Sequence, residues 1–386
     1  DLDASKRSWG PGVWRKLTQE IHKNQFPARA KAQQMCGRNR TRSDTALAYA
    51  QGGNVGLGGM GAGVASTVHF ISGYLSEALL EKKPFVFYGR FNYASNSVCR
   101  SAGKLADFEC YLQPFSACSS LKTRLSADWK PPKISQNRGC VLPATPHKWC
   151  SEVAHFLRVP NGELGRRGTF WFRSALVSFL MRLNAGTKSW LGLPALKKRI
   201  GFKGPIIGVH VRHGDACETT DRKVLGHAFG RHAVLFPVVG GGRCKGLEAY
   251  IPAIQTLSER YNTTRVYLAT DDEAIIAQSK EYSHRFTFIT TPFDREILKP
   301  PNSTGTSKLI ERRTDLWSSE SKSGHDLMKS ALIDILLLAD SDYLVAQLLS
   351  NMSRLALELS AAMKLRIPPY ISMDGPWCPH WKMCPK

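Results

Sequence analysis

Four side chains that can carry charge or protons lie together at the end of an apolar run. The stretch PIIGVHVRHGDAC, from Pro205 to Cys217, begins with residues typical of a strand covered on both faces in a parallel sheet. Arg212 follows that strand, and a guanidinium there requires an anionic partner, either a structural carboxylate such as Asp215 or a phosphate held through two hydrogen bonds. The imidazoles of His210 and His213 flank it. The end of this strand is the first candidate for an anion-binding or catalytic site.

Polar side chains also follow two later strands. Asp271 and Asp272 come after RVYLAT, and Ser350 and Asn351 come after DYLVAQLL. Ligands bind beyond the carboxyl ends of the strands in an open parallel sheet, so these groups are expected to converge with Arg212. Each pair also precedes a helix and can act as its N-cap. The start of the last helix can equally bind a phosphate through its free N–H groups, so both alternatives stay open.

A carboxylate interrupts the apolar helix ALIDILLLA. Asp334 stands where burial is expected, and a buried carboxylate is costly unless it is hydrogen-bonded. It must therefore either bond neighbouring protein groups or accept hydrogen bonds from the donors of a ligand. The residues alone favour neither alternative.

The glycine-rich stretch GGNVGLGGMGAGVAST formally matches a dinucleotide-binding pattern through Gly56, Gly58 and Gly61. That pattern requires a strand before it and an acidic residue at the end of the next strand. The next strand, KPFVFYGRF, ends in Gly89 and Arg90 instead, which disfavours a dinucleotide fold. The glycines still permit close backbone approach to a phosphate or a sugar.

Two domains of α/β type must position these groups. The 386 residues exceed one simple core, and repeated strand-then-helix units after Gly201 predict a parallel sheet with helices on both faces. Residues 1 to about 50 indicate helix and polar loop, and residues 90 to 161 indicate irregular structure before a buried helix, Thr169–Leu183. We therefore predict an N-terminal α/β domain over 1–195 and a C-terminal Rossmann-like domain over 196–386.

The composition restricts the partners of the chain. The net charge of +22 would attract polyanions or phosphate-bearing substrates, but the basic residues are dispersed and accompany no recognisable nucleic-acid module. No nucleic-acid partner is expected, and a basic polyanion-binding protein is a minor alternative. The absence of 18 consecutive apolar residues disfavours a membrane span, while Asp1 as first residue leaves room for a removed leader or membrane anchor.

Cysteines and glycosylation sequons indicate an oxidising compartment. Ten cysteines lie mostly in loop-like stretches, and no CxxC pair suggests a zinc module. A secretory-pathway or Golgi-lumen location, with disulfide bonds, is therefore expected. The four Asn-X-Ser/Thr sequons, which support it, begin at Asn39, Asn262, Asn302 and Asn351.

The motifs resemble those of a known superfamily. GVHVRHGD is similar to the HxRxxD-type motif of the α1,6-fucosyltransferase superfamily, which includes eukaryotic core fucosyltransferase, the rhizobial nodulation fucosyltransferase and, more distantly, protein O-fucosyltransferases. RVYLATDDEAI resembles the second motif of the family, and ALIDILLLADSDYLVAQLLSNMSRLALEL resembles the third. The resemblance extends over residues 52 to 375.

This resemblance implies a GT-B-like, two-domain glycosyltransferase that needs no metal and inverts the fucose anomeric carbon. The implied donor is GDP-fucose, and the implied acceptor is the core GlcNAc of N-glycans, fucosylated in α1,6 linkage; a protein O-fucosyltransferase or a catalytically weak nucleotide- or glycan-binding homologue is the alternative. By the family pattern, Arg212 contacts the diphosphate with His210 beside it, and Asp334 accepts hydrogen bonds from guanine. The family pattern also implies donor-binding roles for Ser350 and Asn351, with Arg354 one helical turn further on. Donor binding is likewise expected of Asp271 and Asp272 at their strand end and of Gly61 in the glycine-rich stretch, and a catalytic role is expected of Asp215.

The chain departs from the family pattern just after this motif. Ala216 stands where the core enzyme has a lysine, and Thr220 stands where it has a glutamate base. An inverting transfer needs a base for the acceptor hydroxyl, and Glu218 is the preferred replacement, with Asp221 as the alternative. An additional segment from Asp221 to Lys245 follows, and a disulfide between its Cys244 and Cys217 would fold it over the site.

Overall fold

The computed structural model contains two compact units, one from Trp9 to Trp190 and one from Leu191 to Trp377. The roles expected for the two domains, acceptor side and donor side, stay predictions. No helix among the residues described is both long and apolar enough to cross a membrane. The residues that the structure describes are 9–28, 32, 47–51, 63–89, 91–94, 97–101, 107–118, 157, 159–160, 167–214, 217, 245–298, 310, 316 and 323–378.

The N-terminal unit combines helices with a pair of parallel strands. The apolar sequences of its second and fourth helices bury most of their side chains. Arg173 on the fourth helix is fully buried and donates to the His69 carbonyl and the Ser72 hydroxyl on the second, so it joins the two. The elements are α1 Pro11–Gln25, β1 Leu47–Gln51, α2 Val64–Leu80, β2 Phe85–Gly89, α3 Ser97–Ser101, α4 Thr169–Leu180 and α5 Ala185–Leu191.

Strand β1 corrects the expectation of helix and polar loop up to about residue 50. It pairs in parallel with β2, with Leu47 opposite Phe85, so the glycine-rich stretch connects a strand to helix α2. The preceding strand that a dinucleotide-binding unit requires is therefore present, whereas β2 still ends at Gly89. Gly61 itself lies outside the described residues.

The C-terminal unit is a five-stranded sheet with helices between its strands. The strand order is β5-β4-β3-β6-β7, and every neighbouring pair is parallel, which confirms the predicted α/β fold. Strand β7 was not expected, because the two prolines in RIPPYIS argue against a strand anywhere but at a sheet edge, where β7 lies. The elements are α6 Leu193–Ile200, β3 Ile207–Val211, α7 Ile251–Tyr261, β4 Arg265–Thr270, α8 Glu273–Ser279, β5 Thr287–Ile289, α9 Ser323–Asp340, β6 Tyr343–Ala346, α10 Asn351–Lys364 and β7 Tyr370–Ser372.

Strand β3 lies at the centre of this sheet and is covered on both faces, as its apolar sequence predicts. Its isoleucine and valine side chains are fully buried and share one hydrophobic core with α7. Gly208 faces the end of α9, where a Cβ atom would lie 2.8 Å from Ser341 Oγ. The glycine thus allows the end of α9 to approach the strand closely.

The direction of the chain across the sheet reverses between β3 and β6. Strand β3 leads through α7 to β4 on one side, whereas β6 leads through α10 to β7 on the other. Such a reversal opens a crevice beyond the carboxyl ends of the two strands, where ligands of open α/β sheets bind. The end of β3 and the start of α10 flank this crevice.

Candidate functional site

A buried histidine joins the two sides of this crevice. His210 Nδ1 on β3 and Ser353 Oγ in the first turn of α10 are 2.6 Å apart, and both side chains are buried. Burial, and secondly the positive charge of Arg212, lower the pKa of His210 to about 3. The imidazole is therefore neutral at physiological pH and acts as a hydrogen-bond partner rather than as a cation.

Arg212 is paired with a carboxylate, as its position after a buried strand predicts. The partner is Asp271 at the end of β4, through Nη1 and Oδ2, and about a quarter of the arginine side chain (27%) remains exposed. The other oxygen of Asp271 accepts the backbone N–H of His213 at 2.9 Å. At Gly214 a Cβ atom would lie 2.8 Å from Asp271 Oδ2, so only glycine lets the chain wrap this carboxylate. Asp215, the other carboxylate considered, lies outside the described residues.

His213 and Asp272 form a second pair between the ends of β3 and β4, in which an imidazole takes the place of the guanidinium. Asp272 Oδ1 accepts the N–H of Ala274 at 2.9 Å and so caps helix α8, which confirms the capping alternative for this residue. Its Oδ2 lies 2.7 Å from His213 Nδ1. Successive residues after β3 are thus fixed to successive carboxylates after β4, a relation that the pattern of the sequence did not reveal.

Asp334 on α9 is buried and bonded to protein groups. Its Oδ1 accepts hydrogen bonds from the Tyr267 hydroxyl at 2.5 Å and from the Thr291 hydroxyl at 3.2 Å. Burial raises the pKa of this carboxyl to about 6, although both hydroxyls and the charge of Arg295 oppose the rise. Of the two alternatives from the sequence, bonding to the protein is found. Both bonds use one oxygen, and 6% of the residue remains exposed.

Arg295 is a buried cation that sequence reasoning missed. Its Nε donates to the Thr270 carbonyl at the end of β4 at 2.9 Å, and its Nη1 donates to the Phe293 carbonyl at 3.0 Å. The guanidinium therefore fixes the loop after β5 to the end of β4 and places a positive charge near Asp334. Its position in the loop sequence TTPFDREIL suggests an ordinary exposed residue, so no pattern signalled its burial.

The start of α10 is the third part of the site. Ser350 is the N-cap residue, but its hydroxyl makes no capping bond, which contradicts the side-chain capping alternative for this residue. Its carbonyl accepts the N–H of Arg354 at 3.1 Å, and the Arg354 guanidinium donates to Asn351 Oδ1. Burial lowers the pKa of Arg354, opposed by the nearby carboxylates of Glu358 and Asp374. The N–H groups at the start of the helix carry a partial positive charge, while the buried Arg354 guanidinium lies near two carboxylates.

Asp374, a second missed residue, fixes the loop that leads into α10. Its two oxygens accept the N–H groups of Leu348 and Leu349 at 2.8 and 3.1 Å. Burial raises the pKa of Asp374, and these two N–H groups oppose the rise. The loop between β6 and α10 is thereby bonded to the residues after β7.

Several predicted site features lie outside the described residues. They include Asp215, Glu218 and Gly61, together with Asp221 and the segment up to Cys244. Cys217 belongs to a disulfide, but its pairing with Cys244 stays a prediction. Metal independence also stays a prediction, and within the described ranges no cluster of three or more His, Cys, Asp or Glu side chains is placed to hold a metal ion.

The arrangement is chemically suited to a phosphorylated ligand. Arg212, exposed in part, and the start of α10 present positive charge on the two sides of the crevice. Asp334 bonds protein groups through only one of its carboxylate oxygens, and His210 is a buried, neutral imidazole bonded to the first turn of α10. These are the groups needed to bind an anion and a heterocyclic base together.

The family model and a curated relative that match this chain both belong to the alpha-(1,6)-fucosyltransferases. Residues 162–367 match the family model described as alpha-(1,6)-fucosyltransferase N- and catalytic domains. An alpha-(1,6)-fucosyltransferase of Drosophila melanogaster is 23% identical over 199 residues, which cover 50% of this chain and 25% of the relative. The chain thus spans about a quarter of the length of this curated relative.

Two solved structures are among those that match the chain. The fucosyltransferase NodZ from Bradyrhizobium matches with a TM-score of 0.44 and 15% identity over 81% of this chain and 92% of that chain. POFUT1 in complex with GDP-fucose matches with a TM-score of 0.33 and 13% identity over 56% of this chain and 51% of that chain.

Proposed function

The chain belongs to the alpha-(1,6)-fucosyltransferase family, since the family model matches more than half of it, and from this premise we propose that it transfers L-fucose from GDP-fucose to a glycan. The preferred acceptor is the core GlcNAc of N-glycans, joined in α1,6 linkage with inversion at the fucose anomeric carbon. The observation that carries the proposal is the switch point of the sheet, where the partly exposed Arg212 follows the strand whose His210 bonds Ser353 at the start of α10.

The donor diphosphate is proposed to lie between Arg212 and the start of α10. Arg212 then exchanges part of its contact with Asp271 for two phosphate oxygens, which a planar guanidinium can bind together. The negative charge on the departing GDP is compensated by this guanidinium and by the partial positive charge of the helix start, so the proposed chemistry needs no metal ion.

The guanine base is proposed to donate its N–H groups to Asp334. The pKa of about 6 leaves this carboxyl ionised at neutral pH, as an acceptor of hydrogen bonds must be. Tyr267 and Thr291 bond only Oδ1 and fix the plane of the carboxylate, so the exposed part of the residue can receive ligand donors. Asp334 therefore provides both a structural bond and base recognition.

The reaction is proposed to take place in the lumen of the secretory pathway, in the Golgi. Cys99 and Cys110 form a disulfide, and Cys118, Cys217 and Cys378 are also disulfide-bonded, which favours an oxidising compartment. The four sequons agree with the same compartment.

The test is incubation of the purified chain with GDP-fucose and a panel of N-glycans and acceptor proteins, followed by mass spectrometry and GDP detection. The proposal expects a mass gain of one deoxyhexose on N-glycans that carry an unmodified core, with equal yield in EDTA. Transfer to proteins only would identify a protein O-fucosyltransferase. GDP binding without any transfer would identify a binding homologue, the alternative that Ala216 and Thr220 favour.

A further inference from the structure

An inverting transfer needs a base for the acceptor hydroxyl, and a histidine after β3 has the environment that such a base requires. We propose that His213, paired with Asp272, is the general base that accepts the proton of the acceptor hydroxyl. This inference rests on the proposed fucosyl transfer and replaces Glu218 as the preferred base.

The imidazole is held in one orientation by two elements. Asp272 Oδ2 lies 2.7 Å from Nδ1, while Oδ1 of the same carboxylate caps helix α8 and cannot move without breaking that cap. The backbone N–H of His213 donates to Asp271, which Gly214 allows to approach the chain closely. The ring is therefore fixed both through its side chain and through its backbone.

The pairing also determines which nitrogen can accept a proton. A carboxylate offers only acceptors, so in the neutral ring Nδ1 carries the hydrogen and Nε2 carries the lone pair. Among the residues that the structure describes, Nε2 has no hydrogen-bond partner, and about a quarter of the side chain (26%) is exposed. A free, oriented lone pair at a ligand-binding edge is the geometry that an activated hydroxyl requires.

His213 lies next to Arg212, so one residue can act on the acceptor hydroxyl and the other on the departing GDP. Arg212 and His213 are adjacent after β3, and each is bonded to its own carboxylate after β4. In the step, the acceptor O–H gives its proton to Nε2, the acceptor oxygen bonds to fucose C1, and the bond from C1 to the phosphate oxygen breaks. GDP leaves with the electron pair of that bond, and its negative charge is opposed by Arg212.

The competing explanation is that the His213–Asp272 pair only stabilises the fold. One substitution distinguishes this structural role from a role as general base. In His213→Asn the amide nitrogen takes the place of Nδ1 and keeps the bond to Asp272, but no group replaces Nε2. We expect kcat/KM for transfer to fall about 100-fold to 10,000-fold, the usual contribution of a general base, with unchanged GDP affinity and melting temperature. His284→Asn, at an exposed histidine of the same unit, is the matched control.

The pH profile provides a readout that a structural role would not change. The charged groups around His213 are Arg212 and Asp271 at the strand ends, and Asp272 with the neighbouring Glu273 at the start of α8. The wild-type transfer rate should decrease on the acidic side, because only an unprotonated Nε2 can accept the acceptor proton, and this decrease should disappear in His213→Asn. Asp272→Asn keeps an oxygen for the helix cap but presents its NH₂ to Nδ1, so the proton moves to Nε2 and transfer should be lost.

The same assay identifies failure of each proposal separately. Transfer by His213→Asn within about threefold of the wild-type rate would overturn the assignment, as would full loss of transfer in Glu218→Gln with an active His213→Asn. If the wild-type protein transfers no fucose to any acceptor, the proposed function itself is wrong. Loss of GDP binding in His213→Asn would also contradict the assignment, because a base acts on the acceptor and not on the nucleotide.

Discussion

The buried carboxylate of Asp334 should destabilise the ligand-free protein at neutral pH. Burial raises its pKa from 3.8 to about 6, so the folded state binds a proton that the unfolded state has already released. Stability is then greatest below the unfolded pKa and decreases as the pH rises from about 4 to about 6, by about 3 kcal/mol at 1.36 kcal/mol per pKa unit. Above pH 6 this cost is complete and constant.

Asp334→Asn should therefore stabilise the ligand-free protein at pH 7. Asparagine keeps an oxygen for the Tyr267 and Thr291 hydroxyls but carries no charge, so the gain should approach about 3 kcal/mol and diminish toward zero near pH 4. The same variant should lose most of the stabilisation that GDP gives, because its oxygen is used by the two hydroxyls and its NH₂ group, which stands in the place of Oδ2, is a donor and cannot accept the N–H groups of guanine. The measurement is denaturant unfolding from pH 4 to pH 8, with and without GDP.

A matched control tests whether removing any carboxylate charge from this helix would stabilise the protein in the same way. Asp340 lies at the end of the same helix, is 37% exposed and pairs with Lys197, so Asp340→Asn should change stability by less than about 1 kcal/mol at every pH. The reasoning is refuted if Asp334→Asn destabilises the protein at pH 7, or if its effect is the same at pH 4 and pH 7.

Three further substitutions test the parts of the crevice. Arg212→Lys keeps the charge but loses the planar fork, so transfer should fall at least about 100-fold with unchanged melting temperature, as measured by product formation and calorimetry. Gly214→Ala forces Cβ toward Asp271 and should cost about 1–3 kcal/mol in denaturant unfolding. Arg295→Met removes a charge that lowers the pKa of Asp334, so GDP affinity should decrease at pH 7 and recover at pH 8.5 in isothermal titration.

The fold of the C-terminal unit follows from simple sequence patterns. Continuous apolar runs predicted the central strands, and the alternation with helices predicted the parallel sheet. Strand β7 was missed because prolines precede it, and β1 was missed because the sequence before the glycine-rich stretch carries no periodicity strong enough to indicate a strand.

The sequence predicted site residues only where a charged side chain stood in an apolar stretch and few structural explanations were available for it. Arg212 after a buried strand and Asp334 within an apolar helix both required partners, and Asp271 pairs with the first while Tyr267 and Thr291 bond the second. The identity of the partner depends on which strands are neighbours, which local patterns do not contain. Arg295 and Asp374 could not be found from the sequence because nothing in their own segments indicates burial.

The central claim is that Arg212 binds the diphosphate of the donor at the switch point of the sheet. The most direct measurement is a crystal structure of the protein with GDP-fucose. It should show two phosphate oxygens within hydrogen-bonding distance of the guanidinium, and the diphosphate near the first turn of α10. A nucleotide bound elsewhere, with Arg212 still engaged only by Asp271, would contradict the account.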